Sequence, residues 1–359
     1  MLKRTSSPRT PLEDELIQLL DSHVPSARDR QVVRRVLGWD GLGGCLLAQA
    51  GAELGISRER ARQVYSRAIG QIQTSELSST LGQVLTFVQR RRNRSAEDIE
   101  AELQLHRFTR HRFGMQALYD TARALGRTPA FALEEAGGKL FVVARVGMVG
   151  SILKAALRSS SRYGIQTVAE MCSAIPPDCR SANDLLLVRQ VLATRGDLRW
   201  LDASKQWFWL ASVPRNPVVR CIKKVLQYAG SVRLADIQQA SQRLPRKRKK
   251  PISREALIGF CQQASFCRFE NGLVELVGSL GPTPLLSGAE VKVCRILQRN
   301  GNEMKFGCLE AQCAVAGVKK SNLWRIVQYS PLIFRPAPRL YALVTSRPNR
   351  AGTLNVRTA

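Results

Sequence analysis

Four short apolar or aromatic segments, Leu140-Phe141-Val142-Val143, Trp207-Phe208-Trp209-Leu210, Leu273-Val274-Glu275-Leu276 and Leu340-Tyr341-Ala342-Leu343, return along the chain at a near-constant period. Between Phe141, Phe208, Val274 and Tyr341 the intervals are 67, 66 and 67 residues. Such regularity implies one supersecondary unit copied along the sequence, each copy bringing its own apolar face to bury. Each segment follows a second apolar run across a polar turn. Leu198-Arg199-Trp200-Leu201 precedes Asp202-Ala203-Ser204-Lys205-Gln206, and Phe269 precedes Glu270-Asn271-Gly272, whose Asn-Gly step is a strong hairpin signal.

Helical stretches are predicted upstream of these hairpins in a fixed order. The openers cover 81–90, 149–158, 218–228 and 290–299, and second helices are readable at 96–103 and 234–240. Third helices, at 114–125, 181–194, 253–263 and 319–328, lead into the hairpins. Three helices followed by a two-stranded hairpin is the order of a winged helix. The expected fold class is therefore mainly α with short β-hairpins: a helix-turn-helix followed by tandem winged-helix-like units. The expected boundaries are an N-terminal arm or helix at 1–25, the helix-turn-helix at 26–76, four units at 78–146, 147–213, 216–279 and 285–346, and a disordered tail at 347–359.

Residues 51–69 carry the helix-turn-helix. Leu47, Ala50 and Leu54 recur at helical spacing, Gly55 suits a left-handed turn, and Ile56 plugs the angle between two helices. Ser57 caps the second helix, with Arg60 where a capping box would have Glu or Gln. Ala61, Val64 and Ala68 are expected to point inward. Arg58, Glu59, Arg62 and Gln63 then project where base edges and phosphates of a major groove can be reached.

The run Gly51, Glu53, Gly55, Ile56, Ser57 and Arg58-Glu59-Arg60-Ala61-Arg62-Gln63 resembles the last DNA-binding region of bacterial primary sigma factors, which reads the upstream promoter element. The preceding Arg28-Asp29-Arg30-Gln31-Val32-Val33-Arg34-Arg35-Val36-Leu37-Gly38 is similar to the helix that comes before it in that family. The likeness covers residues 26–73. It implies base and phosphate contact by Arg58, Glu59, Arg62 and Gln63, and less directly contact with RNA polymerase; Ser57, Arg60 and Arg67 of the same stretch are further DNA-binding candidates. The DNA-melting and polymerase-gripping regions of a sigma factor do not fit in the residues ahead of this motif. Transcription initiation as a sigma factor is therefore not expected.

Charge points to the same class of ligand. The chain carries a formal net charge of +27 and an isoelectric point near 10.6, which favours a polyanion through counterion release. Residues 1–75 account for only +3, so +24 lies downstream of the motif. In the third unit Arg246-Lys247-Arg248-Lys249-Lys250 precedes Pro251 and a helix that begins with Arg254; the competing reading is a loop bathed in solvent. The fourth unit sets Lys319, Lys320, Asn322 and Arg325 on its third helix, a credible DNA-facing group. The first unit offers only Gln116, Arg123 and Arg127.

Other chemistries find little support. Nucleotide-binding glycine loops and nuclease-type carboxylate clusters do not occur, so no catalytic residue, cofactor or small-molecule substrate is assigned. The nine cysteines are scattered and the three histidines stand apart from them, which argues against a zinc site. Trp200, Trp207, Phe208 and Trp209 can stack bases, but on alternating strands they are better core residues. No signal peptide or membrane-spanning run is readable, and a cytoplasmic, nucleoid-associated location is expected. The leading expectation is a non-catalytic, sequence-preferring double-stranded DNA-binding protein. The alternative is a DNA-targeting adaptor whose winged-helix units dock RNA polymerase, or a genome-defence or mobile-element complex.

Overall fold

The recurring segments form the middle strands of small antiparallel sheets. The computed structural model describes residues 10–73, 79–172, 182–244, 251–280 and 285–344. Ahead of the first copy come α1 (Leu12–His23), α2 (Ala27–Leu37), α3 (Leu47–Glu53) and α4 (Arg58–Gln73). The first copy contains α5 (Ser79–Arg91), β1 (Arg94–Ser95), α6 (Ala96–Leu105), α7 (Met115–Ala124), β2 (Ala132–Ala136) and β3 (Lys139–Val143). The second runs through α8 (Met148–Tyr163), β4 (Gln166–Thr167), α9 (Val168–Cys172), α10 (Ala182–Ala193), β5 (Leu198–Trp200) and β6 (Trp207–Leu210). In the third the same order gives α11 (Pro217–Ala229), β7 (Ser231–Arg233), α12 (Leu234–Gln242), α13 (Arg254–Gln263), β8 (Cys267–Glu270) and β9 (Leu273–Leu276). The fourth closes with α14 (Gly288–Arg299), β10 (Glu303–Lys305), α15 (Phe306–Val315), α16 (Lys320–Tyr329), β11 (Ile333–Ala337) and β12 (Leu340–Leu343).

Each copy is thus helix, short strand, helix, helix, hairpin. The sheets are three-stranded rather than the expected two, because the short strand before the second helix pairs with the last strand of the hairpin. Those strands are two or three residues long, too short to show an alternating pattern in sequence. The register repeats as strictly as the sequence period: Phe141 faces Ser95, Phe208 faces Gln166, Val274 faces Val232 and Tyr341 faces Met304. The recurring position therefore takes the centre of each sheet, where Phe141, Phe208 and Val274 are fully buried.

Local chemistry sets the ends of these elements. Ser26, Ser95, Ser253 and Ser287 each accept from the backbone N–H three residues on, and Glu290 completes a capping box with Ser287. Asn216 caps α11 with Pro217 in its first turn. The Asn271-Gly272 turn takes φ of 50° and 80°, as a tight two-residue hairpin requires.

The chain divides into two compact units, one of residues 1–153 with 176–195, the other of 154–175 with 196–359. In the first, α1 buries Leu12, Leu16 and Leu20 against Ile72, Leu81, Val84, Ile99 and Leu118. The second unit builds its core from Ile222, Val225, Ile237, Phe260, Val293, Leu297 and Ile326, with Trp207 and Tyr341 at its margin. Among the described residues no helix is long and apolar enough to cross a membrane.

Candidate nucleic-acid interface

Sequence reasoning picks out α4, and its placement follows from small residues and capping. α3 ends at Leu54, Gly55 turns the chain at φ +65°, and Ile56 N–H returns to the Gly51 carbonyl at 2.8 Å. A Cβ on Gly51 would lie 2.8 Å from the Ile56 carbonyl oxygen, so only glycine allows the two helices to approach here. Ser57 Oγ accepts from Arg60 N–H at 3.2 Å and starts α4. Ala61, Val64 and Ala68 are buried, the first two packing with Val32 of α2.

Two long-range contacts lock this module. Arg28 donates to the Leu54 carbonyl at 2.9 Å and covers the turn, while Arg35 forks onto both oxygens of Glu53. Hydrogen bonding from Arg35 holds the Glu53 carboxyl below its usual range. Neither pairing is readable from sequence spacing, because each joins residues from separate helices.

The outward face of α4 is open: Arg58, Glu59, Arg60, Arg62, Gln63, Ser66 and Arg67 are all exposed, as is the cap Ser57. Glu59 is engaged within the helix, accepting from Arg62 at 2.6 and 2.9 Å and from Gln63 at 3.4 Å. The Arg62 hydrogen bond lowers the Glu59 pKa. Glu59 thus orients a guanidinium and an amide on a surface that otherwise presents arginine. Such a face offers forked donors suited to phosphate or guanine edges.

The third helices of the copies differ from α4 and from one another. Trp39, after α2, is buried and donates its indole N–H to Thr121 of α7 at 2.8 Å. α10 lies along β1, where Gln190 accepts the Ser95 N–H at 3.0 Å and Asp184 meets the Asn93 amide. The free edge of that short strand is therefore covered. α13 packs on the second copy's hairpin: Phe260 sits edge-on to Trp209 at 4.9 Å, and Gln263 donates to the Trp200 carbonyl at 2.8 Å. The sequence sets a DNA-facing group on the third helix of the fourth unit and offers little on that of the first, and the helices differ in burial accordingly. Among the described residues five of each of α7, α10 and α13 are buried, and each helix packs against an element that precedes it in sequence.

α16 keeps a wide open face. Lys320, Ser321, Trp324, Arg325, Gln328 and Tyr329 are exposed, while Leu323, Ile326 and Val327 are buried. Lys319 is the N-cap rather than a helical residue; Lys320 pairs with Glu310 at 2.7 Å; Asn322 is half-buried and accepts weakly from Arg325. Arg243, partly buried after α12, donates to the Val327 and Ile333 carbonyls and fixes the far end of α16.

Arg254 is the exposed first residue of α13 and borders a cavity of about 340 Å³ with Arg233, Gln238 and Asn271. The basic run Arg246, Lys247, Arg248, Lys249 and Lys250 lies outside the described residues. Among the described residues no group of histidine, cysteine and carboxylate side chains is arranged to hold a metal ion. Among the described residues eight cysteines stand outside disulfides; burial pushes Cys221 and Cys294 up to about 12, so both stay protonated at neutral pH. His106 and His111 are exposed, and Trp207 and Phe208 lie in the core. Set against known proteins, the chain matches no family model and no curated sequence.

Proposed function

We propose that this chain is a non-catalytic, sequence-preferring double-stranded DNA-binding protein, in which α4 acts as the reading helix of a sigma-like helix-turn-helix. The observation that carries this is the open face of α4: four arginines with Glu59 and Gln63, uncovered by any of the described residues and held on a locked three-helix support. The four copies, in this reading, are winged-helix-like units. Among the described residues the third helix of the fourth copy has the widest open face, and the first three copies act chiefly as scaffold, adding backbone contacts through residues such as Arg254.

Selection of duplexes from a random pool by the full chain tests the reading. A recurring motif is expected. Glu59→Ala and Gln63→Ala should relax base preference by about 1–3 kcal/mol per lost contact while leaving nonspecific affinity in place. Equal recovery of all sequences would refute base reading by α4.

The covered third helices also favour a second reading, in which the chain is an adaptor that brings a protein complex to DNA. Leu42 and Leu46, in the loop before α3, are exposed at 75% and 77% and would supply its apolar contact. RNA polymerase is one candidate. Co-purification that is lost in Leu42→Ser with Leu46→Ser, with duplex binding unchanged, would support it.

A further inference from the structure

We infer that the open face of α16, with the adjacent turn of the fourth hairpin, binds single-stranded nucleic acid by stacking an unpaired base on Trp324. The site is distinct from α4 and rests on different residues, so either can fail without the other.

Trp324 is 48% exposed at the middle of the open face. Its ring is braced from behind by Phe306, with centroids 4.6 Å apart, and Phe306 lies 5.7 Å from Tyr341. Three rings in a row hold the indole in place while one part of it faces water. A fixed aromatic platform of this kind loses little entropy when a base stacks on it.

Exposed cations lie on the same helix and on the hairpin. Lys320 precedes Trp324 by one helical turn and Arg325 follows it directly. From the hairpin, the Arg339 carbonyl accepts the Phe306 N–H at 2.7 Å, which holds this exposed arginine beside the ring row. Arg335, on β11, is exposed as well. Lys320 also pairs with Glu310 at 2.7 Å. Charge complementarity therefore selects a polyanion, with phosphates held by lysine and arginine on either side of the stacked base.

Single strand is favoured over duplex by comparison with α4. The base edges of a groove present donors, acceptors and methyl groups, which Arg58, Arg62 and Gln63 can match. An indole at the centre of a reading face matches few of them. Unpaired bases offer a π-face instead, whatever their identity.

The test uses the full chain, a labelled oligothymidylate single strand and a mixed-sequence duplex, with anisotropy read at one fixed salt concentration. Trp324→Ala is expected to weaken single-strand binding roughly 5- to 100-fold and duplex binding less than about two-fold. Trp324→Phe should retain most of the affinity, and Arg62→Ala should show the reverse selectivity. Arg339→Asn, which keeps a residue tolerant of the left-handed turn at φ +62°, should cost a few-fold and reduce the salt dependence. Undiminished single-strand binding by Trp324→Ala would overturn the proposal, as would an equal loss on both ligands. So would self-association of the chain that Trp324→Ala abolishes, since a second copy would then cover the face.

Discussion

α4 and α13 open on the same three residues and meet opposite fates. Ser57-Arg58-Glu59 and Ser253-Arg254-Glu255 each place a serine that accepts from the third following N–H, at 3.2 and 3.1 Å. Beyond that point they diverge. α4 continues with Arg62, Gln63, Ser66 and Arg67 on its outer side, all exposed. α13 continues with Leu257, Gly259, Phe260 and Cys261, all buried, and a Cβ on Gly259 would come 2.1 Å from the Leu201 carbonyl oxygen. A capping signature thus announces a helix and says nothing of whether it reads a ligand or fills a core. The residues one and two turns later decide that, together with whatever the fold brings against them.

Two helical glycines allow this contrast to be broken. Gly259→Ala should cost unit two about 3 kcal/mol, because the new methyl group meets backbone that cannot swing aside. Denaturant unfolding measures the loss, and duplex affinity should stay unchanged below the transition. A neutral result would mean that α13 is not clamped to the second copy's hairpin.

A smaller effect concerns acid. Burial tends to raise the Glu290 pKa, but hydrogen bonds from Lys224 at 2.8 and 2.9 Å outweigh it, and the carboxyl lies below its ordinary value. A pKa lowered by folding stabilises the native state above the unfolded value of about 4.3 and ceases to do so as pH falls through the folded value. Glu290→Gln should therefore cost about 2 kcal/mol at neutral pH, where Gln still accepts one bond from Lys224. It should also flatten the acid limb of the stability curve of unit two.

Gly70→Ala is the smallest and has the opposite sign. Gly70 lies in α4 with nothing within 4 Å of the position its Cβ would take. Alanine there should add about 0.5–1 kcal/mol by favouring the helix, with no loss of packing. A rise in melting temperature with unaltered duplex binding would confirm that this side of α4 is free.

Much of the fold is legible in sequence because the signals are local. Period, Asn-Gly turn and apolar spacing place the first and third helices and the last hairpin strand of all four copies, whereas the second helices α9 and α15 and the hairpin strands β2 and β11 are not located by them. The short strands β1, β4, β7 and β10 are missed, since two or three residues carry no pattern of their own and acquire strand character from the partner they pair with. The candidate site divides the same way. Ser57, Gly55 and the arginines of α4 are readable, whereas Arg28 on the Leu54 carbonyl joins residues 26 positions apart and leaves no local trace.

By itself the sequence determined that this protein is a repeat of one helix-and-hairpin unit behind a helix-turn-helix, strongly basic, with Arg58 to Arg67 on one helical face. Those properties depend on residue type and spacing, which need only backbone geometry to be translated. Which third helices are open was decided by tertiary structure alone. Covering α7, α10 and α13 takes Trp39, the β1 edge and the second hairpin, all far away in sequence, and Trp324 is exposed because none of the described residues packs over it. Burial belongs to pairs of surfaces, and a chain read residue by residue shows only one member of each pair.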